Sequence, residues 1–155
     1  MDIRDILAPE AVAAHQRATS KKQLFQEIGA RAGDVYGLPQ RAVFEALMDR
    51  ERLGSTAMGR GVAAPHARIG AADRILGVFL RLDKPIAFDA MDDEPVDLVF
   101  ALIAPEDAGA DHLRALARVS RALRDAGICA KLRSCADASA VHAVITENAS
   151  ATRAA

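Results

Sequence analysis

The chain holds four histidines, and one of them stands in an unusual sequence setting. His66 directly follows Pro65, at the end of a segment, GSTAMGRGVAAP, that contains three glycines and a Ser-Thr pair. Proline restricts its own backbone and that of the preceding residue, so the approach to His66 is stiff. The small neighbours Ala64 and Ala67 leave the ring room. His66 is therefore a plausible reactive ring. If its chemistry were phosphoryl transfer, it would require an exposed neutral ring nitrogen and a fixed tautomer.

A phosphoryl acceptor also needs cations or hydrogen-bond donors around the arriving oxygens. Arg50, Ser55 and Thr56 precede the histidine and Arg68 follows it. A guanidinium group matches the geometry of phosphate oxygens. His112 lies near the start of a predicted helix, where free backbone N–H groups favour anions. From its position alone, His112 is either part of a phosphate site or an ordinary polar residue of the first helical turn.

Other candidate sites carry weaker signals. His15 and His142 have no reactive neighbours along the chain, and we expect both to be ordinary structural or surface residues. The segment before His66 lacks the lysine and the spacing of a P-loop, and its Ser-Thr pair is not a nucleophile elbow. The acidic run from Asp92 to Asp97 offers oxygen ligands for a hard cation, yet its spacing fits no calcium loop. We expect a solvated loop there, and neither a metal nor another cofactor.

The composition restricts the function classes further. A chain of 155 residues with 51% apolar and 26% charged residues is typical of one soluble globular domain. Its net charge of −1 argues against a general nucleic-acid binder. Cys129 and Cys135 are too few for a disulfide framework and lack zinc-site spacing, which favours a reducing compartment. The sequence shows neither a signal peptide nor a run of about 18 apolar residues, so we expect a cytoplasmic protein without stable membrane insertion.

The pattern of apolar residues predicts a layered α/β fold. The near-continuous apolar runs Ile75–Leu82 and Val96–Ala104 indicate central strands buried on both faces, joined by an irregular connection. Two further short strands are expected in the glycine-rich segment 54–65. Strands with helices before and after them imply a mixed sheet between helical layers. The predicted helices, inferred from apolar spacing and capping signals, cover about 21–36, 39–53, 109–125 and 128–134, with a last one capped by Asp137.

Three stretches of the chain resemble a known family: RERLGSTAMGRGVAAPHAR (Arg50–Arg68), KPIAFDAMDDEPVDLVFALIAPE (Lys84–Glu106) and HLRALARVSRALRD (His112–Asp125). They are similar to the enzyme IIA domains of the bacterial phosphoenolpyruvate-dependent phosphotransferase system, in the fructose/mannitol-type superfamily and nearest to its nitrogen-regulatory branch. The resemblance extends from Ile3 to about Ile145. It implies a three-layer α/β/α sandwich with a mixed, roughly five-stranded sheet over residues 1–148. The small and polar residues at the end of the chain predict a flexible tail, 149–155.

The resemblance also implies roles for individual residues. His66 stands at the histidine that is phosphorylated on Nε2 by a small histidine phosphocarrier resembling HPr. His112 stands at the second active-site histidine, which lies against the first, and Arg50 stands at an active-site arginine. Ser55 and Thr56 match the family's Ser-Thr pair at the rim of the phosphate site.

Within the nitrogen-regulatory branch, to which the basic Arg68 and the stand-alone chain point, the phosphoryl group is a signal. The resemblance implies a transferase component without small-molecule turnover, whose phosphorylation state controls binding to proteins such as potassium transporters or sensor kinases. A phosphoryl group adds about −1.5 to −2 charges at neutral pH, enough to create or abolish docking. Exposed apolar residues such as Met58 or Met91 are expected around the docking face, although core packing is the commoner role of methionine. The alternatives are a sugar-specific IIA component that serves a fructose- or mannitol-type transporter, and a binding module of this fold without phosphotransfer.

Overall fold

Six strands form one mixed β-sheet with helices packed on both of its faces. The computed structural model describes the backbone of residues 2–154 and the side chains of residues 2–147. The predicted α/β sandwich is confirmed, with six strands in place of roughly five. The helices are α1 (Ile3–Ile6), α2 (Lys21–Tyr36), α3 (Gln40–Arg52), α4 (Ala110–Arg124), α5 (Ala126–Ser134) and α6 (Ala138–Ala154), with a 3-10 turn at Pro9–Ala11. The strands are β1 (Val12–Gln16), β2 (Ala57–Gly59), β3 (Val62–Ala63), β4 (His66–Arg68), β5 (Leu76–Ile86) and β6 (Val96–Ala104).

The sheet has β5 and β6 at its centre, in the strand order β1-β5-β6-β3-β2. β5 and β6 run antiparallel, with Val78 opposite Ala101, and β1 joins β5 in parallel. β3 and β4 both run parallel to β6, on the edge that β5 leaves free. β3 pairs with the first half of β6 at Leu98, and β4 pairs with its second half at Leu102. The short connection between β3 and β4 therefore stays beside the central strand.

The two central strands supply most of the core, as their apolar runs predict. Every residue of β6 except Asp97 is buried, and so is the run Leu76–Leu80 of β5. The rings of Phe79 and Phe100 meet edge to face with centroids 6.0 Å apart. Burial of each such side chain contributes about 1.5–3 kcal/mol relative to leaving it exposed. Gly77 is required beside them, because a Cβ there would lie 2.8 Å from Cε1 of Phe100.

The predicted helices α2 to α5 begin and end within one or two residues of the expected positions, and side-chain or glycine caps are present at α2, α5 and α6. The Ser20 hydroxyl accepts from the N–H of Gln23 at 3.1 Å at the start of α2. Gly37 ends that helix in the left-handed region, with φ at 70°. Asp125 and Asp137 cap α5 and α6 by accepting backbone N–H groups of their first turns at 2.8 and 2.9 Å.

The glycine-rich segment folds into β2, β3 and tight turns, as its composition predicts. Gly54, Gly59 and Gly61 have φ values of 156°, 90° and 81°, which favour glycine. Gly61 is also tightly packed, since a Cβ there would lie 2.7 Å from Nη2 of Arg133. The loop that leads towards His66 therefore depends on glycine for its dihedral angles, and a side chain at position 61 would also displace the end of Arg133.

The sequence reasoning did not find α1, the 3-10 turn, β1 or β4. β1 is the alanine-containing VAAHQ, and alanine has little intrinsic preference for strands, so the pairing with β5 determines its conformation. The predicted irregular connection after residue 82 is wrong over its first part, because β5 continues to Ile86. α6 continues to Ala154, into the predicted tail 149–155, and Ala155 and the side chains of that tail lie outside the described residues. The flexibility of the tail stays a prediction. Within the described part of the chain, every helix is too short or too polar to cross a membrane.

Candidate functional site

His66 opens β4 and is half-buried, with its Cα paired to that of Leu102 in β6. Its Nδ1 lies 2.9 Å from the carbonyl oxygen of Ala64. A carbonyl oxygen only accepts hydrogen bonds, so Nδ1 carries a proton and donates it. In the neutral ring the other nitrogen, Nε2, then holds a free lone pair. The geometry therefore presents a nucleophilic ring nitrogen in a fixed tautomer.

The backbone on the approach to His66 is held by hydrogen bonds on both sides. The N–H of Ala64 donates to the carbonyl of Thr56 at 3.0 Å. The carbonyl of Pro65 accepts from the N–H of Leu102 at 2.9 Å, which ties it to the central strand β6. The carbonyl group that orients the imidazole ring thus belongs to a segment that is itself fixed.

A buried carboxylate, that of Glu51 at the end of α3, holds the start of this loop. Its Oε1 accepts the N–H of Thr56 at 3.0 Å and its Oε2 accepts the Thr56 hydroxyl at 2.6 Å. Lys21 from α2 lies 3.1 Å from Glu51 Oε1 and 3.0 Å from Oδ2 of Asp89, with its Nζ 4.7 Å from the centre of the Phe88 ring. The negative charge is therefore paired and hydrogen-bonded, which a buried charge requires.

Sequence reasoning missed Glu51, although the chain carries a signal for it. Val43, Leu47 and Glu51 are spaced four residues apart and are the buried residues of α3. Residues at that spacing share one face of a helix. A buried carboxylate on the apolar face of a helix needs hydrogen-bond donors or a cation around it. The spacing therefore predicts a buried polar network at Glu51, next to Arg50.

His112 lies in the first turn of α4 and is buried, with 6% of its surface exposed. Its Nδ1 accepts a hydrogen bond from Nε of Arg68 at 3.1 Å. Burial lowers the pKa of His112, and the neighbouring His66 and Arg68 lower it further. Its Nε2 is buried and has no hydrogen-bond partner among the residues that the structure describes. The ring meets that of His66 edge to face, with centroids 5.5 Å apart and planes at 72°.

Both histidines line a cavity of about 400 Å³ together with Arg50 and Arg68. Arg50 donates from Nη1 to the carbonyl of Gly54 at 3.0 Å, which holds it at the end of α3. The structure thus brings together four of the six residues that the sequence proposes for the site. The cavity is also lined by Asp49, whose carboxylate pairs with Arg52. Its apolar lining consists of five residues, Ala46, Leu53, Ala67, Leu113 and Leu116.

The exposed apolar residues at the cavity are leucines. Leu53 and Leu113 line it and are 84% and 66% exposed. Met91 is fully exposed, but it and Met58 line a different cavity, together with Arg124. Met58 is partly buried against the core, and a place for either methionine on a docking face stays a prediction.

Ser55 and Thr56 do not line the cavity that contains His66. The Ser55 hydroxyl donates to the carbonyl of Phe88 at 2.6 Å. The Thr56 hydroxyl is buried and donates to Glu51 at 2.6 Å. Both hydroxyl protons are therefore used to hold the loop, and a place at the phosphate rim stays only a prediction for these two residues.

Side chains of the acidic run Asp92–Asp97 are held by hydrogen bonds and an ion pair to other parts of the chain. Asp92 accepts the N–H groups of Arg60 and Glu94 at 2.8 and 3.1 Å, and these bonds lower the pKa of its carboxyl group. Asp97 pairs with Nη2 of Arg133 at 2.8 Å. Among the described residues, no three His, Cys, Asp or Glu side chains form a group that could hold a metal ion.

The remaining two histidines make structural contacts. His15 lies 3.3 Å from Asp83 and 3.3 Å from the carbonyl of Ala136. His142 lies 2.9 Å from the carbonyl of Leu7, which links α6 to the N-terminal segment. Neither of them lines the cavity around His66.

Several known proteins are similar to this chain in sequence and in fold. The profile of the family described as "Phosphoenolpyruvate-dependent sugar phosphotransferase system, EIIA 2" matches residues 5–148. A nitrogen regulatory protein of Bradyrhizobium diazoefficiens is 53% identical over 145 residues, which are 94% of this chain and 95% of that protein. A nitrogen regulatory protein of Klebsiella oxytoca is 38% identical over 148 residues, which are 95% of this chain and 91% of that protein. The crystal structure of nitrogen regulatory protein IIA-Ntr from Neisseria meningitidis matches with a TM-score of 0.86 at 37% identity, over 92% of this chain and 97% of that one.

Proposed function

Since the chain belongs to the EIIA 2 family of the phosphoenolpyruvate-dependent sugar phosphotransferase system, we propose that it is a phosphocarrier that accepts a phosphoryl group on Nε2 of His66. The observation that supports this most directly is the 2.9 Å hydrogen bond from His66 Nδ1 to the carbonyl of Ala64. When the half-buried ring is neutral, this bond leaves the lone pair on Nε2, which is the form that a phosphoryl acceptor requires.

In the proposed reaction the Nε2 lone pair attacks the phosphorus of a phosphohistidine on the donor protein. A P–N bond forms on His66 while the P–N bond of the donor breaks, and its electron pair returns to the donor imidazole. The Nδ1 proton of His66 stays in place, hydrogen-bonded to the Ala64 carbonyl. Since the transferred group carries its charge on three equatorial oxygens, the protein contributes mainly positioning and electrostatic stabilisation.

Three donors are available for those oxygens in the cavity. Arg50 and Arg68 supply guanidinium groups, and His112 supplies a ring N–H. A phosphoryl group brings about −1.5 to −2 charges at neutral pH, so the two guanidinium groups oppose charge of similar size. This arrangement favours the phosphorylated state of His66 over a phosphohistidine on an open surface.

The phosphoryl donor that we propose is a small HPr-like histidine phosphocarrier. Its phosphohistidine must come within bonding distance of His66, so its surface must cover the mouth of the cavity. The exposed Leu53 and Leu113 lie there. Apolar side chains grouped around a polar centre are typical of the core of a protein–protein interface.

We further propose that the phosphoryl group acts as a regulatory signal in the cytoplasm. The support is that the relatives from Bradyrhizobium and Klebsiella are nitrogen regulatory proteins. Phosphorylation of His66 adds a compact negative charge to the surface that carries the exposed side chains of Leu53 and Leu113. This charge changes the set of proteins that can bind to that surface. Potassium transporters and sensor kinases are the downstream partners that the family resemblance implies.

Phosphorylation is tested by incubating the protein with phosphoenolpyruvate, enzyme I and the HPr-like carrier, followed by intact-mass measurement. The wild type is expected to gain the mass of one phosphoryl group, and His66→Ala to gain none. His15→Ala, which removes a histidine outside the cavity, is the matched control and should gain the group normally. Full phosphorylation of His66→Ala, or none of the wild type, would overturn the proposal.

The same mixture separates the regulatory proposal from sugar transport. Addition of a fructose- or mannitol-type EIIB domain offers the phosphoryl group a transport acceptor. We expect little loss of phosphate from His66 to this domain. Rapid and complete transfer to it would instead support a sugar-specific component.

A further inference from the structure

The hydrogen bond between Arg68 and His112 determines which nitrogen of His112 carries a proton. Nε of Arg68 lies 3.1 Å from Nδ1 of His112. A guanidinium group has only donors, so Nδ1 must be the acceptor and must be unprotonated while this bond exists. The proton of the neutral His112 ring is then on Nε2.

Arg68 is held where it makes this bond by the same strand that carries His66. The two residues are two positions apart in β4, and alternate residues of a strand point to the same face. β4 is paired with β6 in register, His66 with Leu102 and Arg68 with Ala104. The acceptor histidine and the arginine therefore share one rigid support, and both line the cavity with His112.

Nε2 of His112 is a buried donor that lacks a partner among the described residues. A buried donor without an acceptor is unfavourable, so such a group calls for an explanation in terms of function or of a missing ligand. The ring of His112 is in edge-to-face contact with the ring of His66. An oxygen of a phosphoryl group bound to His66 would supply the missing acceptor.

We propose that Arg68 is a positioning residue that holds His112 as a neutral ring with its proton on Nε2, ready to donate to the phosphoryl group on His66. The proposal rests on the proposed function and deepens it. Burial and the neighbouring cation keep the pKa of His112 low, which agrees with a neutral ring. Without Arg68, Nδ1 is free to take a proton or to exchange tautomers. Some of the protein molecules would then lack the Nε2–H form of His112 that favours phosphoryl transfer to His66.

The tautomer is measured directly by long-range proton–nitrogen NMR of the uniformly ¹⁵N-labelled protein at neutral pH. Wild-type His112 is expected to show the Nε2–H form alone. Arg68→Ala is expected to show a second tautomer or a protonated ring, and Arg68→Lys to restore the wild-type pattern in part, because an ammonium group also donates. Arg114→Ala is the control. It removes a guanidinium group from α4, the helix that carries His112, and this group pairs with Asp111 at 3.0 Å, so the pattern should stay unchanged. An unchanged wild-type pattern in Arg68→Ala would overturn the proposal.

The rate of phosphoryl transfer from the HPr-like carrier is the second readout. Removal of a donor to a developing oxyanion costs roughly 10²–10³ in rate, which is the loss expected for His112→Ala. Arg68→Ala removes both the bond to His112 and a guanidinium group beside the phosphoryl oxygens, so we expect at least a tenfold loss of rate. Arg68→Lys keeps a cation there and should lose less. Wild-type rates in Arg68→Ala would overturn the positioning role.

Failure of this proposal and failure of the proposed function are distinguishable. If the wild type accepts no phosphoryl group, the phosphocarrier function is overturned, and a purely structural reason must be sought for the tautomer. If the wild type is phosphorylated and Arg68→Ala matches it in both tautomer and rate, only the role of Arg68 is overturned.

Discussion

The ring of His112 stands edge-on to the ring of His66, with the centroids 5.5 Å apart and the planes at 72°. In each ring Nδ1 makes a hydrogen bond, but its partner is an acceptor in one case and a donor in the other. The Ala64 carbonyl accepts from Nδ1 of His66, whereas the Arg68 guanidinium donates to Nδ1 of His112. The free nitrogens consequently differ, since His66 keeps a lone pair and His112 keeps an N–H group. In the proposed reaction these two states suit the two rings to different tasks, attack on phosphorus by His66 and donation to its oxygens by His112.

Replacement of the exposed Leu53 should weaken docking of the phosphoryl donor without affecting the fold. Leu53 is 84% exposed at the cavity, so Leu53→Gln removes apolar contact area that only a partner would bury. An interface anchor contributes more than about 1.4 kcal/mol, which corresponds to at least a tenfold rise in KM for the HPr-like carrier. Steady-state phosphorylation with varied donor concentration measures this.

The matched control for Leu53 is Met91→Gln, because Met91 is fully exposed but lines another cavity. It should leave KM for the carrier at its wild-type value. Equal effects of the two substitutions would show that the donor does not dock over the His66 cavity.

Acidification should destabilise the folded protein through His112. Its pKa is lowered in the folded state, chiefly by burial, so the unfolded chain takes up a proton at a higher pH than the native one. Stability from this residue is therefore fully present above about pH 6.5, the ordinary pKa of histidine, and is lost as the pH falls through that value towards the folded pKa. Urea unfolding at pH 7.5 and pH 5.5 should show a lower unfolding free energy at the acidic pH. In His112→Gln this difference should shrink, and a pH dependence equal to that of the wild type would count against the assignment.

The buried carboxylate of Glu51 should be necessary for stability. Glu51→Ala leaves the N–H and hydroxyl of Thr56 without their acceptor and removes one partner of Lys21. Loss of one partner of a buried ion pair costs about 3–5 kcal/mol, and we expect about 3 because Lys21 keeps Asp89. Urea unfolding followed by circular dichroism measures the change.

Glu45→Ala is the control on the same helix, since Glu45 is exposed and pairs with Arg41 four residues earlier. It should change the unfolding free energy far less than Glu51→Ala does. A comparable loss of unfolding free energy in both variants would show that the buried contacts of Glu51 do not contribute the stability expected of them.

The sequence predicts the central strands and proposes His66 as the phosphoryl acceptor, but it does not predict the contacts that orient the side chains of the candidate site. β6 could be predicted because its apolar run is typical of a strand buried on both faces. The family resemblance proposed Arg50, His66 and His112, which the structure places around one cavity. The role of the Ala64 carbonyl as hydrogen-bond acceptor for His66 could not be predicted. Every residue has a carbonyl group, and only the folded backbone determines which one lies beside the ring. The Arg68–His112 bond joins residues 44 positions apart, and it required the pairing of β4 with β6.

The hydroxyl of Thr56 provides a test between a structural role and a place at the phosphate rim. Thr56→Val keeps the shape of the side chain but leaves Oε2 of the buried Glu51 without its 2.6 Å donor. An unsatisfied buried polar group costs about 1–3 kcal/mol, so the unfolding free energy should fall by that amount. Thr56→Ser retains the hydroxyl, and it should lose clearly less stability than Thr56→Val. If the hydroxyl instead contacts the phosphoryl group, Thr56→Val would slow transfer to His66 in fully folded protein and leave its urea unfolding unchanged.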